Sequence, residues 1–100
     1  MQFEWHEAKN ERNQQKHGIS FELTQEVFDD PYLLSWLDRS STQEERWITL
    51  GCIDHTLILT LIHTDRSPEH ENIIRIISAR KATQKERRCY LDHYCQATQS

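Results

Sequence analysis

The chain has 100 residues, 36% hydrophobic, with only two Gly and two Pro, and a formal net charge of −4. That is one domain, residues 1–100, with room for a single core and much regular structure, which excludes a disordered or low-complexity chain. The longest apolar run, Leu57 to Ile62, is broken by Thr60 and too short to span a bilayer.

Phe3-Glu4-Trp5 reads as a short edge strand. His6 to Lys16 is a polar surface helix with Ala8 as its one apolar residue, and Gly18 is its expected C-terminal cap. Ser20 suits the N-cap of a second helix, in which Phe21, Val27 and Phe28 share a face until Asp29-Asp30-Pro31 ends it. Tyr32 to Leu37 is an apolar strand, and Asp38 to Glu45 a polar loop. Arg46–Ile53 and Leu57–Thr64 are strands around a tight Asp54-His55 turn. A longer loop, Asp65 to Glu71 with Pro68, leads into a last strand, Asn72–Arg80. Thr83-Gln84-Lys85-Glu86 is a capping box, so a helix runs from there to about Gln96, packing through Tyr90, Leu91 and Tyr94. Strands in sequence with helices at the ends predict an α+β fold with an antiparallel meander.

Charge is unevenly distributed. From Asn72 to Leu91, six basic residues (Arg75, Arg80, Lys81, Lys85, Arg87, Arg88) stand against Glu86 alone, or +5. Residues 1–71 hold six basic and fourteen acidic residues, or −8. A positive patch on an acidic chain points to a polyanionic ligand held at one place. No signal peptide precedes Gln2-Phe3-Glu4-Trp5, so a cytoplasmic location is expected, with the three cysteines reduced. There is no HExxH and no CxxC, His6, His55, His70 and His93 are dispersed, and no metal or cofactor is expected.

Strand parity brings some of these groups together. With a two-residue turn, Ile53 opposes Thr56 and Arg46 opposes His63. If Thr64 opposes Asn72, then Arg75 opposes Leu61. Arg46, His63 and Arg75 are then expected at one end of the helix-covered face, which also holds Ile48, Leu50, Leu57, Leu59 and Leu61. Arg80 has the other parity and joins them only through a bulge or beyond the strand's end. Guanidinium forks bind phosphate bidentately and stabilise a pentacoordinate transition state, which suggests metal-free RNA cleavage. His63, His17 and Glu86 are the available groups for proton transfer. The structural alternatives stand beside this. Arg46 could pair with Glu44 and Glu45, Arg80 with Glu86, and His63 could be a satisfied core residue. Lys16 and His17 suit a helix C-terminus on dipole grounds alone, Glu86 is needed by the capping box, and Lys85, Arg87 and Arg88 suit a solvated face.

The chain resembles the BrnT family of toxins. The resemblance rests on Phe3-Glu4-Trp5, Lys9, Asn13, Lys16-His17-Gly18-Ile19-Ser20-Phe21, Val27-Phe28, Asp30-Pro31, Asp38, Glu45-Arg46, Gly51, Arg75-Ile76-Ile77-Ser78-Ala79-Arg80, Ala82, Glu86 and Tyr90. It implies a RelE-like fold, with N-terminal helices on one face of the sheet and a C-terminal helix. It implies a ribonuclease toxin that cleaves RNA without metal, leaves a 2′,3′-cyclic phosphate and a 5′-hydroxyl, and blocks translation. The implied partner is a BrnA-like antitoxin with a ribbon-helix-helix DNA-binding domain, through which the pair contacts operator DNA. The basic positions within the motifs are Lys16, His17, Arg46, Arg75 and Arg80. The chain departs from the family in having His6 where Asp usually caps the first helix, and in being acidic overall. The competing expectations are a non-catalytic, toxin-derived module that acts with the antitoxin as a corepressor, and a nucleic-acid-binding domain without enzymatic role.

Overall fold

The computed structural model describes residues 1–40, 42, 45–65 and 72–99. The elements are β1 (Gln2–Glu4), α1 (Glu7–His17), α2 (Phe21–Thr24), a 3-10 turn (Gln25–Asp29), β2 (Leu34–Asp38), β3 (Arg46–Ile53), β4 (Leu57–Asp65), β5 (Ile73–Lys81) and α3 (Gln84–Thr98). The strands form one sheet in the order β1-β5-β4-β3-β2. The four long strands are the expected antiparallel meander. β1 adds to it in parallel, Glu4 opposite Arg75, so the sheet is mixed. The alternative pairing of Arg46 with Glu44 and the expected loop around Pro68 and His70 fall outside the described residues.

α1 ends where expected. Gly18 takes a left-handed conformation (φ 71°) and donates its N–H to Gln14 O. At the other end His6 makes no side-chain cap, as its chemistry suggests. The helix docks through amides, not apolar side chains. Asn10 accepts from Phe21 N at 2.8 Å. Asn13 donates to Ala79 O at 2.8 Å and accepts from Ala79 N at 3.1 Å. It thus satisfies both backbone groups of Ala79, as a neighbouring strand would. The second helix is shorter than expected. Ser20 caps it, but after Thr24 the chain tightens into the 3-10 turn. Gly51 accommodates that turn, because a Cβ there would run into the Val27 side chain.

Two departures in register decide where side chains point. At the hairpin, Asp54 and His55 both adopt positive φ (53° and 62°), and Thr56 N bonds Ile53 O. Thr56 is an extra residue before the ladder resumes, so Ile53 opposes Leu57 and Trp47 opposes His63. The expected pairing was therefore one residue out, and such a slip exchanges faces. The second departure is in β5. Ile62 opposes Ser78 but His63 opposes Ile76, which leaves Ile77 as a bulge.

The two faces follow. One packs Leu59, Leu61, Ile74, Ile76 and Ala79 against Ile19, Phe21 and Val27, under α2 and the 3-10 turn. The other is covered by α3 only near the hairpin, where Tyr90 packs on Leu50 and Ile58 beside Tyr32 and Leu34. The capping box of α3 forms as expected, Thr83 Oγ1 accepting from Glu86 N and Glu86 accepting from Thr83 N. Of its expected packing face only Tyr90 is buried; Leu91 and Tyr94 are exposed.

Asp30 ties these parts together. β2 pairs with β3 only as far as Leu34 opposite Leu50. Beyond that point the Asp30 carboxylate takes the strand's place, accepting from Cys52 N at 2.8 Å. It also accepts from Tyr32 N at 2.9 Å and from the Tyr90 hydroxyl at 2.5 Å.

Candidate functional site

The face that α3 half covers carries three cross-strand rows. Under α3 lie Leu34, Leu50, Thr60 and Arg80, each opposite the next. The middle row is Trp36, Ile48, Ile62 and Ser78. In the third, Asp38 opposes Arg46, Thr64 opposes Arg75, and Glu4 stands beyond Arg75. Neither packed cluster of described residues includes Ile48 or Ile62, and Trp36 is 39% exposed. No described helix covers this part of the sheet, although Thr64 between the two arginines is buried and Ile48, Ile62 and Ser78 are half-buried.

Arg46 and Arg75 share this open face, not the helix-covered face expected from the earlier register. They stand on strands two apart, so their Cα atoms are about 10 Å apart. Two extended guanidinium groups can meet one phosphate across that span. Each has an acidic neighbour in its row. Ser40's hydroxyl and amide, and more weakly Arg46, hold the Asp38 carboxyl below its ordinary value.

Arg80 reaches the same face because of the Ile77 bulge, two rows away. It is engaged in a fork with Glu86, Nη1–Oε1 at 2.6 Å and Nη2–Oε2 at 3.0 Å. Glu86 also accepts from Thr83 N and Thr60 Oγ1. The Arg80 bond, with these others, holds the Glu86 carboxyl down at about 2. The structural alternative for this pair, ion pair plus capping box, is what the geometry displays. Such an acid is too weak a base to take a proton from a sugar hydroxyl near neutrality.

His63 lies on the other side of the sheet, 5% exposed. Its Nε2 is 2.7 Å from Thr49 Oγ1, which is 2.6 Å from Ser35 Oγ, and its ring meets Phe28 edge-on at 5.2 Å. Burial lowers its pKa to about 4, outweighing Asp65 and a Thr64 backbone contact. The structure thus separates His63 from Arg46 and Arg75. Lys16 and His17 end α1, which docks at the edge of β5 through Asn13 and the backbone of Ala79. Lys81 opposes Leu59 and so faces the same side as His63, away from Arg80. Lys85, Arg87 and Arg88 are exposed on α3.

A groove of about 600 Å³ lies elsewhere, between α3, the 3-10 turn and the hairpin. Arg87 lines it, but so do Glu26, Asp29, Asp30 and Asp54. Four carboxylates against one cation repel phosphate, so the open sheet face suits a polyanion better despite being shallower.

Comparison with known proteins decides the family. Residues 5–86 match the model described as ribonuclease toxin, BrnT, of type II toxin-antitoxin system. The chain belongs to the BrnT family. A crystal structure of a BrnT at 1.1 Å, the ribonuclease toxin of Brucella abortus, is similar to it, with 27% identity and a TM-score of 0.59. The likeness covers 84% of this chain and 99% of that one. No protein of curated function matches. Membership in BrnT makes this a ribonuclease-toxin family chain, with RNA as the implied substrate and an antitoxin as the implied partner. The BrnT match takes in β2 to β5 and stops at Glu86, so β1 at one end and Arg87, Arg88 and Tyr90 at the other lie beyond it.

Neither charge nor strand parity singles out Trp36, Ser78, Thr60 or the acidic neighbours Glu4 and Asp38 in the sequence. Trp36 stands in the middle of an apolar strand, and its exposure is a property of the fold. Its face depended on a register that sequence parity misplaced.

Proposed function

We propose that the chain is a metal-independent endoribonuclease toxin that cuts RNA on the open sheet face and so blocks translation. The observation that supports this reading is the placing of Arg46 and Arg75 in one row on the part of the face that α3 leaves uncovered. The two guanidinium groups hold one phosphate and stabilise the negative charge that builds on its oxygens. The RNA 2′-oxygen attacks phosphorus as its proton passes to water, and the P–O5′ bond breaks as the leaving 5′-oxygen takes a proton from water. The products are a 2′,3′-cyclic phosphate and a 5′-hydroxyl. His63 stands on the far side of the sheet and takes no part in these transfers, and His17 ends α1 at the edge of β5. Arg80, held by Glu86, flanks the face and attracts the RNA backbone, and Lys85, Arg87 and Arg88 extend the positive field along α3. Lys16 and Lys81 contribute only at long range. A BrnA-like antitoxin with a ribbon-helix-helix domain neutralises the toxin and carries the pair to operator DNA.

The carboxylates beside each arginine favour one second reading, a non-catalytic module that serves its antitoxin as corepressor, because Asp38 and Glu4 weaken attraction to RNA. Expression separates the two. The toxin alone should arrest growth, co-expression of its antitoxin should relieve the arrest, and purified protein should cleave RNA in excess EDTA. Arg75→Ala should abolish arrest and cleavage at equal abundance and unchanged circular dichroism. An undiminished Arg75→Ala would remove this site assignment, loss of cleavage in EDTA would remove metal independence, and a silent wild type would favour the corepressor.

A further inference from the structure

We propose that Trp36 is a stacking platform for an unpaired nucleobase of the RNA, next to the phosphate held by Arg46 and Arg75. This deepens the function proposed above and rests on it.

Trp36 is a large indole on edge strand β2, left 39% exposed. It heads an apolar row with Ile48 and Ile62 that neither packed cluster of described residues includes. The row is framed by cations: Arg46 and Arg75 on one side, Arg80 on the other. A flat apolar strip inside an arginine frame fits a ligand that alternates flat apolar groups with anions. Single-stranded RNA has that alternation. Trp36 opposes Ile48, two residues along β3 from Arg46, so the Trp36 and Arg46 Cα atoms are roughly 8 Å apart. That suits a base and an adjoining backbone phosphate of one extended strand. A duplex would not fit, since its base faces are already stacked on one another. An aromatic platform accepts any base, because every base has a π-face, so the site selects for unpaired RNA more than for sequence.

The test compares wild type, Trp36→Ala and Trp36→Phe in cleaving a single-stranded RNA, after circular dichroism confirms that each is folded. Loss of one stacked base should raise KM roughly 5- to 150-fold in Trp36→Ala. The kcat should stay nearly constant, and Trp36→Phe should recover most of the loss. An RNA with an abasic residue at the stacked position should lower the wild type to the level of Trp36→Ala and leave Trp36→Ala unchanged. A 2′-O-methyl RNA, which lacks the attacking hydroxyl, should quench tryptophan fluorescence in wild type and much less in Trp36→Phe, although Trp5 and Trp47 remain. This titration decides the role of Trp36 even if the wild type cleaves nothing and the enzymatic reading fails. An unchanged KM with unchanged quenching would overturn the platform. So would weakened antitoxin binding by Trp36→Ala with RNA affinity intact, which would make the row a protein-docking surface.

Discussion

Arg75 and Arg80 point to the same face of the sheet although they are five residues apart in one strand. Unbroken alternation would set them on opposite faces. Ile77, the extra residue opposite the Ile62–His63 step, restores them to one side. Deleting Ile77 should force one of the two arginines into the helix-packed core. An unpaired buried arginine is so costly that the variant should lose at least about 3 kcal/mol of stability or fail to fold. Ile77→Ala keeps the bulge and should be tolerated. Urea denaturation of the two variants checks this, and a deletion as stable as wild type would mean the bulge does not set the faces.

His63 should make the protein acid-sensitive. Its pKa is about 4 in the fold, against 6.5 for an ordinary imidazole. Between these values the unfolded chain holds the extra proton, so stability is full above about pH 6.5 and falls as the pH drops towards 4. The loss integrates to about 3 kcal/mol. Unfolding free energies measured from pH 7 to 4 should show this limb, and His63→Gln should flatten it. Cleavage by His63→Gln should keep the wild-type pH profile.

Asp30 and Tyr90 fasten α3 to the sheet. Burial, and then the bond to Asp30, push the Tyr90 hydroxyl above its ordinary pKa, so it stays a donor throughout the working range. Tyr90→Phe should cost about 1–2 kcal/mol. Asp30→Ala should cost more, because Cys52 N and Tyr32 N lose their acceptor as well. Chemical denaturation gives both values, and equal costs would show that the backbone bonds to Asp30 contribute little.

Glu86→Ala should cost about 1–2 kcal/mol through the cap and the Thr60 bond. The ion pair itself adds little, since the Arg80 side chain is 40% exposed. Because the Glu86 carboxyl titrates at about 2 in the fold, its contribution is full above about pH 4.5 and is lost as the pH falls through 2. Freed from its partner, Arg80 should bind RNA more tightly in this variant. A filter-binding titration beside wild type checks the sign.

Salt should separate the two partners. RNA held by arginines loses affinity steeply as salt rises, through counterion release. An antitoxin that also buries apolar surface should persist. In a potassium chloride titration RNA should leave well before antitoxin. Release of both at the same salt would show that the antitoxin contact is electrostatic only.

The sequence by itself determined what is local. Alternation over 46–53 and 57–64 marks the central strands, Gly18 ends α1, and Thr83 with Glu86 begins α3, because each signal acts within a few residues. The family resemblance was legible for the same reason, as an ordered set of short motifs. Register was not legible. Asp54 and His55 in left-handed conformation, followed by the extra Thr56, displace β4 by one residue, and nothing in their side chains announces it. That displacement puts Arg46 in the open and His63 in the core. Asn10 and Asn13 look like solvent residues on a polar helix, yet both are buried, because their partners are backbone groups of Phe21 and Ala79 that only the folded chain brings near. Trp36 reads as one more apolar strand residue until its face is known. Faces depend on counting residues across turns and bulges, a property of paired strands, and a single extra residue reverses them.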